Sequence, residues 1–377
     1  MRLELHRELP ASEDFRRKWN MLVESMEQPE VFYTWEWTAA VVRSYQQLRP
    51  LIFAAYRDQD LVGVVALVED LDVTFLTAPT ADYCDFVSSP NDRREFVELV
   101  IGELARQSLG SMKLSNIPAA SASVQALRPR NAYAHFSRPA FSCAQILLES
   151  PEQRTEAIAV ARNSPKRTAR LSKFGVIHIE HYANWEAFSD EFPNFVNAHV
   201  ARFVSQGRTS SLADPDRLRF VEELGKLLSE QGSLRCSVLR LGSKPVAWHF
   251  GMAFQGKWFW YQPAFALDYD QASPGTYLLR EVIREAASNP EFRVVDLGLG
   301  DESYKAQYAN SAQLTLHFTL VLSRLRLARE MSRYYVAQSL KRSPKLEQIA
   351  RTTLSNFAAF REARKKQRVG APPPTYT

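Results

Sequence analysis

The chain alternates between stretches whose hydrophobic positions repeat every second residue and stretches with a helical repeat. Residues 51–56 and 61–69 read as two strands of a hairpin around the polar turn 57–60. Residues 71–76, 113–117 and 141–148 supply the other strands of the first half. Helical spacing covers 15–26, opened by Ser12, Glu13 and Asp14, and also 93–109. Ser164, Pro165 and Gly175 then frame a basic helix as cap, first-turn proline and stop. A strand over 177–182 follows, then helices over 185–205 and 215–231. The strongest β signal lies at 234–241, 245–254 and 257–265, with turns at Gly242 and Gly256. A helix over 274–287 and strands over 293–297 and 313–322 complete the order. Both halves share one succession of helices, hairpin meander, helix and strand, which is a repeat of architecture and not of sequence.

Charge divides the 377 residues unevenly. Residues 323–370 hold 13 Lys/Arg against 3 Asp/Glu; the remainder holds 34 against 39 and is mildly acidic. Cys84, Cys143 and Cys236 are far apart and form no CxxC or Cys/His cluster, which argues for a reducing compartment and against disulfides and structural zinc. The start of the chain lacks a signal-peptide core, and the longest apolar run, 61–68, is far short of the ~20 residues that span a bilayer. A cytoplasmic protein is expected.

Candidate chemistry concentrates in the second half. Pro263 interrupts the strand 257–265, which should be splayed or edge-like there and leave backbone groups for a ligand. The following loop ends in Ser273, Pro274 and Gly275: a cap, a first-turn proline and a residue over which a ligand can approach. A helix start of this kind attracts anions. Beyond the strand 293–297, Gly298 and Gly300 lead into Asp301, Glu302, Tyr304 and Lys305, with Asp296 behind. That cluster is either a ligand site at a strand's C-terminal end or the cap of a helix opened by Ser303. His249, on an apolar strand, is either a satisfied core histidine or a base. Lys166, Arg170 and Lys173 form a cationic stripe, either a solvated face or an anion groove. Trp258, Trp260 and Tyr261 read as core, with one ring available to stack on a sugar.

The strand, the 273–279 helix start and the run Asp296-Leu-Gly-Leu-Gly-Asp-Glu-Ser-Tyr-Lys305 together resemble the CelD/BcsL-type acetyltransferases of the GNAT superfamily. That group is associated with cellulose and other exopolysaccharide biosynthesis and is related to the Fem aminoacyl transferases. Asp82-Tyr-Cys-Asp85 and Lys166-Arg-Thr-Ala-Arg170 add to the likeness, which covers roughly 10–325. The resemblance implies an α/β (α+β) fold of tandem GNAT-like domains, each a mixed, mostly antiparallel sheet flanked by helices. Residues 1–150 would form the acceptor side, 151–322 the acyl-CoA and catalytic side, and 323–377 a basic helical tail. It further implies N-acyl transfer from acetyl-CoA, or another acyl-CoA, to the amine of an amino sugar by direct attack, without metal. The usual pyrophosphate loop survives only as Gln271-Ala-Ser-Pro-Gly275-Thr276, which leaves room for another donor.

Within that family frame, Tyr261, Ala264, Ser273, Gly275 and Thr276 would hold the co-substrate. Asp301, Glu302 or His249 would be the base, and Tyr304 would protonate the leaving thiolate. Asp82, Tyr83, Asp85, Lys166, Arg170, His199, Arg202 and Lys305 would contact a free, nucleotide-linked or lipid-linked sugar. Two alternatives stand beside this reading: a Fem-like transferase using aminoacyl-tRNA, and a non-catalytic GNAT-like binding module. The mildly acidic body disfavours nucleic acid. The basic tail is expected to meet an anionic membrane surface or a cyclic dinucleotide, which would place the protein at the inner face of the membrane.

Overall fold

The computed structural model describes residues 1–107, 111–128, 133–300 and 302–341. The described residues up to Leu320 form one compact unit, and those from Val321 to Lys341 belong to a second. The strands are β1 Arg2–His6, β2 Pro50–Arg57, β3 Asp60–Glu69, β4 Val73–Phe75, β5 Val87–Ser88, β6 Ser111–Pro118 and β7 Ala134–Leu147. Then come β8 Ile177–Tyr182, β9 Cys236–Leu241, β10 Lys244–Phe254, β11 Lys257–Phe265, β12 Val294–Asp296 and β13 Ser311–Val321. The helices of the first half are α1 Glu13–Glu24, α2 Trp35–Ser44, α3 Pro90–Arg106 and α4 Ala122–Ala126. Those of the second half are α5 Pro151–Val160, α6 Pro165–Ser172, α7 Trp185–Ser189, α8 Phe192–Ser205, α9 Pro215–Gln231 and α10 Pro274–Ser288. The second unit contains α11, Arg324–Lys341.

The strands form one mixed, mostly antiparallel sheet in the order β1-β2-β3-β4-β6-β13-β7-β12-β11-β10-β9-β8, with β5 alongside β3. The hairpin β2–β3 and the meander β9–β10–β11 follow directly from the two-residue period of their sequences. The middle of the sheet does not. β7 is far longer than the short strand expected at 141–148, and its end pairs with β12, Leu147 opposite Val294. β13 lies between β6 and β7. The two halves therefore share one sheet through strands remote in sequence.

Two further expectations differ from the structure. The helix expected over 185–205 is broken into α7 and α8, because Pro193 in the first turn of α8 cannot continue a preceding helix. At the break, Glu191 accepts from Arg240 (2.5 Å) and from Trp248 Nε1 (3.0 Å). The helix expected from Ser303 is only a 3-10 turn, Lys305–Gln307.

Local chemistry explains α5, whose start is a capping box: Ser150 accepts from Gln153 N, and the Gln153 side chain accepts from Ser150 N. Arg154 of that helix donates to the carbonyls of Ala287, Asn289 and Phe292, closing the C-terminal end of α10. One hydrophobic core runs across both halves, and a second gathers around α10, β11 and β12. The crossing is carried by Phe32, buried edge-on against Phe259 (5.4 Å) and close to Tyr261 (6.2 Å). Burying a ring of this size contributes roughly 1.5–3 kcal/mol. It fixes the first half against the strand that carries the site. No helix among the described residues is long and apolar enough to cross a membrane.

Candidate active site

β11 and β12 run parallel only from Lys257↔Val294 to Phe259↔Asp296 and then part. β11 continues on β10 alone, with Ala264 opposite Trp248 and Pro263 opposite His249. Ala266 N donates to Val246 O on the β10 side. Antiparallel alternation therefore directs Gln262 and Ala264 towards β10, and Tyr261 and Pro263 away from it. Pro263 loses no ladder bond there, and its carbonyl accepts from Arg202 Nη1 at 3.3 Å. The splay expected from Pro263 is present on the β12 side.

A cavity of about 400 Å³ opens where the strands part. Tyr261, Pro263 and Ala264 of β11, Gly275 and Thr276 of α10, and the loop after β12 line it. The first N–H groups of α10 have no partner within their helix, which makes this end attractive to anions. Ser273 does not cap it. Its backbone is left-handed (φ 55°) and its side chain makes no cap hydrogen bond. A Cβ at Gly275 would approach the Phe265 ring to 3.1 Å, so glycine keeps this wall close.

The first half contributes Asp82. Burial and then the neighbouring Asp296 carboxylate push its pKa up to about 7, against the N–H of Leu299, Lys305 and Arg217. Asp296 is fully buried; it accepts from Tyr83 Oη (2.8 Å), Gln145 Nε2 (2.8 Å) and Gly298 N (2.7 Å). Gly298 is left-handed (φ 71°), and a Cβ there would lie 2.6 Å from Asp82 Oδ2. Only glycine permits both the turn and the carboxylate. Lys305 is buried, donating to the Leu299 carbonyl (2.6 Å) and paired with Glu302 (2.9 Å). Tyr304 packs against the core cluster that holds Trp260. Burial and then the Glu302 charge push its pKa up to about 12, against the nearby Trp260 side chain.

Of the sequence-predicted residues, the structure brings Asp82, His199, Arg202, Tyr261, Ala264, Gly275, Thr276, Glu302, Tyr304 and Lys305 to this cavity. His199 is neutral, its pKa lowered to about 4 by burial and then by Arg202 and Arg217; its Nδ1 meets Ser210 Oγ at 2.8 Å. Tyr83 and Asp85 do not face the cavity. Tyr83 is spent on Asp296, and Asp85 is buried against Arg93 (3.2 Å) and Ser121 (2.6 Å). Lys166 and Arg170 stand in solvent on α6, outside the cavity lining. His249 also lies outside it, fully buried with its Nε2 3.1 Å from Phe259 O, so it has no path to a substrate proton. The Lys305 ammonium is engaged by its own loop rather than free for a substrate anion. Asp301 lies outside the described residues. The sequence suggested Asp82 only as a sugar ligand. Its partner Asp296 is more than 200 residues away, so its raised pKa had no local signal.

Residues 159–306 match the acetyltransferase (GNAT) domain family. An acyltransferase domain of the GNAT type thus lies within these residues, and the match includes β8 to β12 and α10. No curated protein matches the chain. Among solved structures, FemX is similar with 10% identity over 80% of this chain and 95% of its own, at a TM-score of 0.57. The C-terminal domain of a protein named as a lysylphosphatidylglycerol synthetase from Agrobacterium fabrum is similar with 14% identity, over 86% and 96%, at 0.55. A conserved protein of unknown function from Bacteroides thetaiotaomicron reaches 0.54 with 12% identity, over 85% and 100%. At these identities the likeness is one of fold. Among the described residues no cluster of three or more His, Cys, Asp or Glu side chains could hold a metal ion.

Proposed function

We propose that the protein is an N-acyltransferase of the CelD/BcsL type, which acylates the amine of an amino sugar used in exopolysaccharide or envelope polysaccharide synthesis. The observation that carries the reading is the meeting of Asp82 and Tyr304 in one cavity, where β11 leaves β12 beside the start of α10. The first half then supplies the acceptor side and the second half the donor side.

The chain's residues suit a CoA thioester. The free edge at Tyr261 offers backbone groups to an amide-bearing arm, and the first-turn N–H groups of α10 suit phosphates. Acyl-CoA would supply an acyl group already activated towards an amine. Asp82 takes the proton from the acceptor ammonium at a carboxylate oxygen, and its pKa near 7 suits a base working at neutral pH. The amine forms the new C–N bond as the C–S bond breaks. Tyr304 Oη delivers a proton to the departing sulfur, and its phenolate takes back the second proton that the new amide nitrogen sheds. Gln206, Gln262 and Ser211 line the cavity beside the rings of Phe203 and Tyr304. Hydroxyl-bonding groups next to flat apolar faces suit a sugar.

The test is acetyl-CoA-dependent thiol release over a panel of deacetylated amino sugars and nucleotide-sugars, with an aminoacyl-tRNA arm. Saturable, acceptor-dependent release with one sugar class supports the reading. The similarity to FemX favours a second, Fem-like reading, and transfer only from the aminoacyl ester would establish that one instead.

A further inference from the structure

We propose that His249 is a positioning residue for Tyr304, acting through Trp260. The inference rests on Tyr304 being the proton donor to the leaving sulfur. β10 and β11 lose register between Phe250/Met252 and Gln262/Phe259, so β11 carries one extra residue opposite Gly251. Such a bulge bends a strand and re-aims side chains. The bulge falls where β11 parts from β12, since Phe259 is the last residue of β11 paired there.

The His249 ring fills the space above Gly251. A Cβ on Gly251 would lie 2.1 Å from His249 Cε1 and 2.6 Å from Phe259 O, so no larger residue fits beneath the ring. Nε2 stands 3.1 Å from Phe259 O, which requires Nε2–H to donate and leaves Nδ1 as a bare lone pair. That lone pair is buried and has no partner. The imidazole is therefore neutral throughout the working pH range; burial holds its pKa down, to about 3. Its face stacks on Trp260 with centroids 4.2 Å apart and planes 17° from parallel. Trp260 and Tyr304 line the same cavity, and Tyr304 packs against the core cluster that holds Trp260. One packed series thus runs from the bulge carbonyl, through the imidazole and the indole, to the cavity wall that carries the phenol that must meet the leaving sulfur.

This arrangement serves one proton transfer and not substrate binding. His249→Ala should therefore lower kcat about 10-fold or more, within the range general-acid placement commands. KM for the acyl donor, and CoA affinity by calorimetry, should stay within about 3-fold. His249→Phe keeps a ring on Trp260 and should retain more turnover than His249→Ala. It also preserves volume should the alanine variant fold poorly. In a Tyr304→Phe background either substitution should cost nothing further, because the group being positioned is gone. With an aryl thioester, whose thiolate leaves without a proton, the loss should shrink. Additive losses in the double variants, or a loss confined to KM and CoA affinity, would overturn the role of His249 while leaving Tyr304 in place. Normal turnover in Tyr304→Phe alone would remove both.

Discussion

Gly298→Ala perturbs the site through a single methyl. Its Cβ would sit 2.6 Å from Asp82 Oδ2 and would need about 0.8 Å more to reach the 3.4 Å of ordinary contact. The Gly298 N–H is held by Asp296 at 2.7 Å, so the loop resists moving and the Asp82 carboxylate must give way. A left-handed alanine adds about 1–2 kcal/mol of backbone strain. In a chain of this size that lowers Tm by no more than roughly 2–4 °C. The effect on turnover should be far larger, because displacing a catalytic group by about 1 Å can cost ~10²-fold. Steady-state thiol release and a thermal melt on the same preparation separate the two. A folded variant with kcat/KM within about 3-fold of wild type would refute the placement of Asp82 at the reacting amine.

Gly275→Glu should weaken acetyl-CoA binding in calorimetry by 10-fold or more, on the order of 1.4 kcal/mol, because a carboxylate at the start of α10 opposes a phosphate; unchanged affinity would move the donor site elsewhere. Arg93 is fully buried and bound by Asp85, Glu27, Ser88 and Ser121. Arg93→Ala leaves the Asp85 carboxylate unpaired and should cost about 3–5 kcal/mol in urea unfolding, whereas a loss under about 1 kcal/mol would contradict that account. Deleting the residues after Phe360, which lie outside the described residues, should abolish binding to anionic vesicles and to cyclic dinucleotides while sparing turnover. Equal binding by the full-length and shortened proteins, at low and high salt, would exclude the tail as an anion sensor.

The strands β9, β10 and β11 and the proline-led start of α10 are legible in the sequence because their signals are local: alternation, a turn glycine, a first-turn proline. The opening between β11 and β12 is half legible. Pro263 marks the interruption, but the register shift opposite Gly251 depends on how two strands meet. The placement of Asp82 depends on Phe32 packing against Phe259 and on Gly298 leaving room, contacts that span most of the chain. Tyr83 and Asp85 look like Asp82 in sequence. Their neighbours Asp296 and Arg93 take them out of the cavity. His249 shows the converse, since a polar residue on an apolar strand suggests chemistry until its one hydrogen bond and its stacked ring are seen.

The central claim, that the opening beside β12 is an acyl-transfer site with Asp82 as its base, is tested most directly by the pH dependence of acceptor-dependent thiol release in wild type and Asp82→Asn. A base must be ionised to act, and the Asp82 pKa lies near 7. The wild-type kcat/KM should therefore rise with pH through about 7 and level off above it, and Asp82→Asn should lose ~10²-fold or more and the rise with it. An Asp82→Asn variant that keeps the wild-type rate and the same pH midpoint would contradict the account.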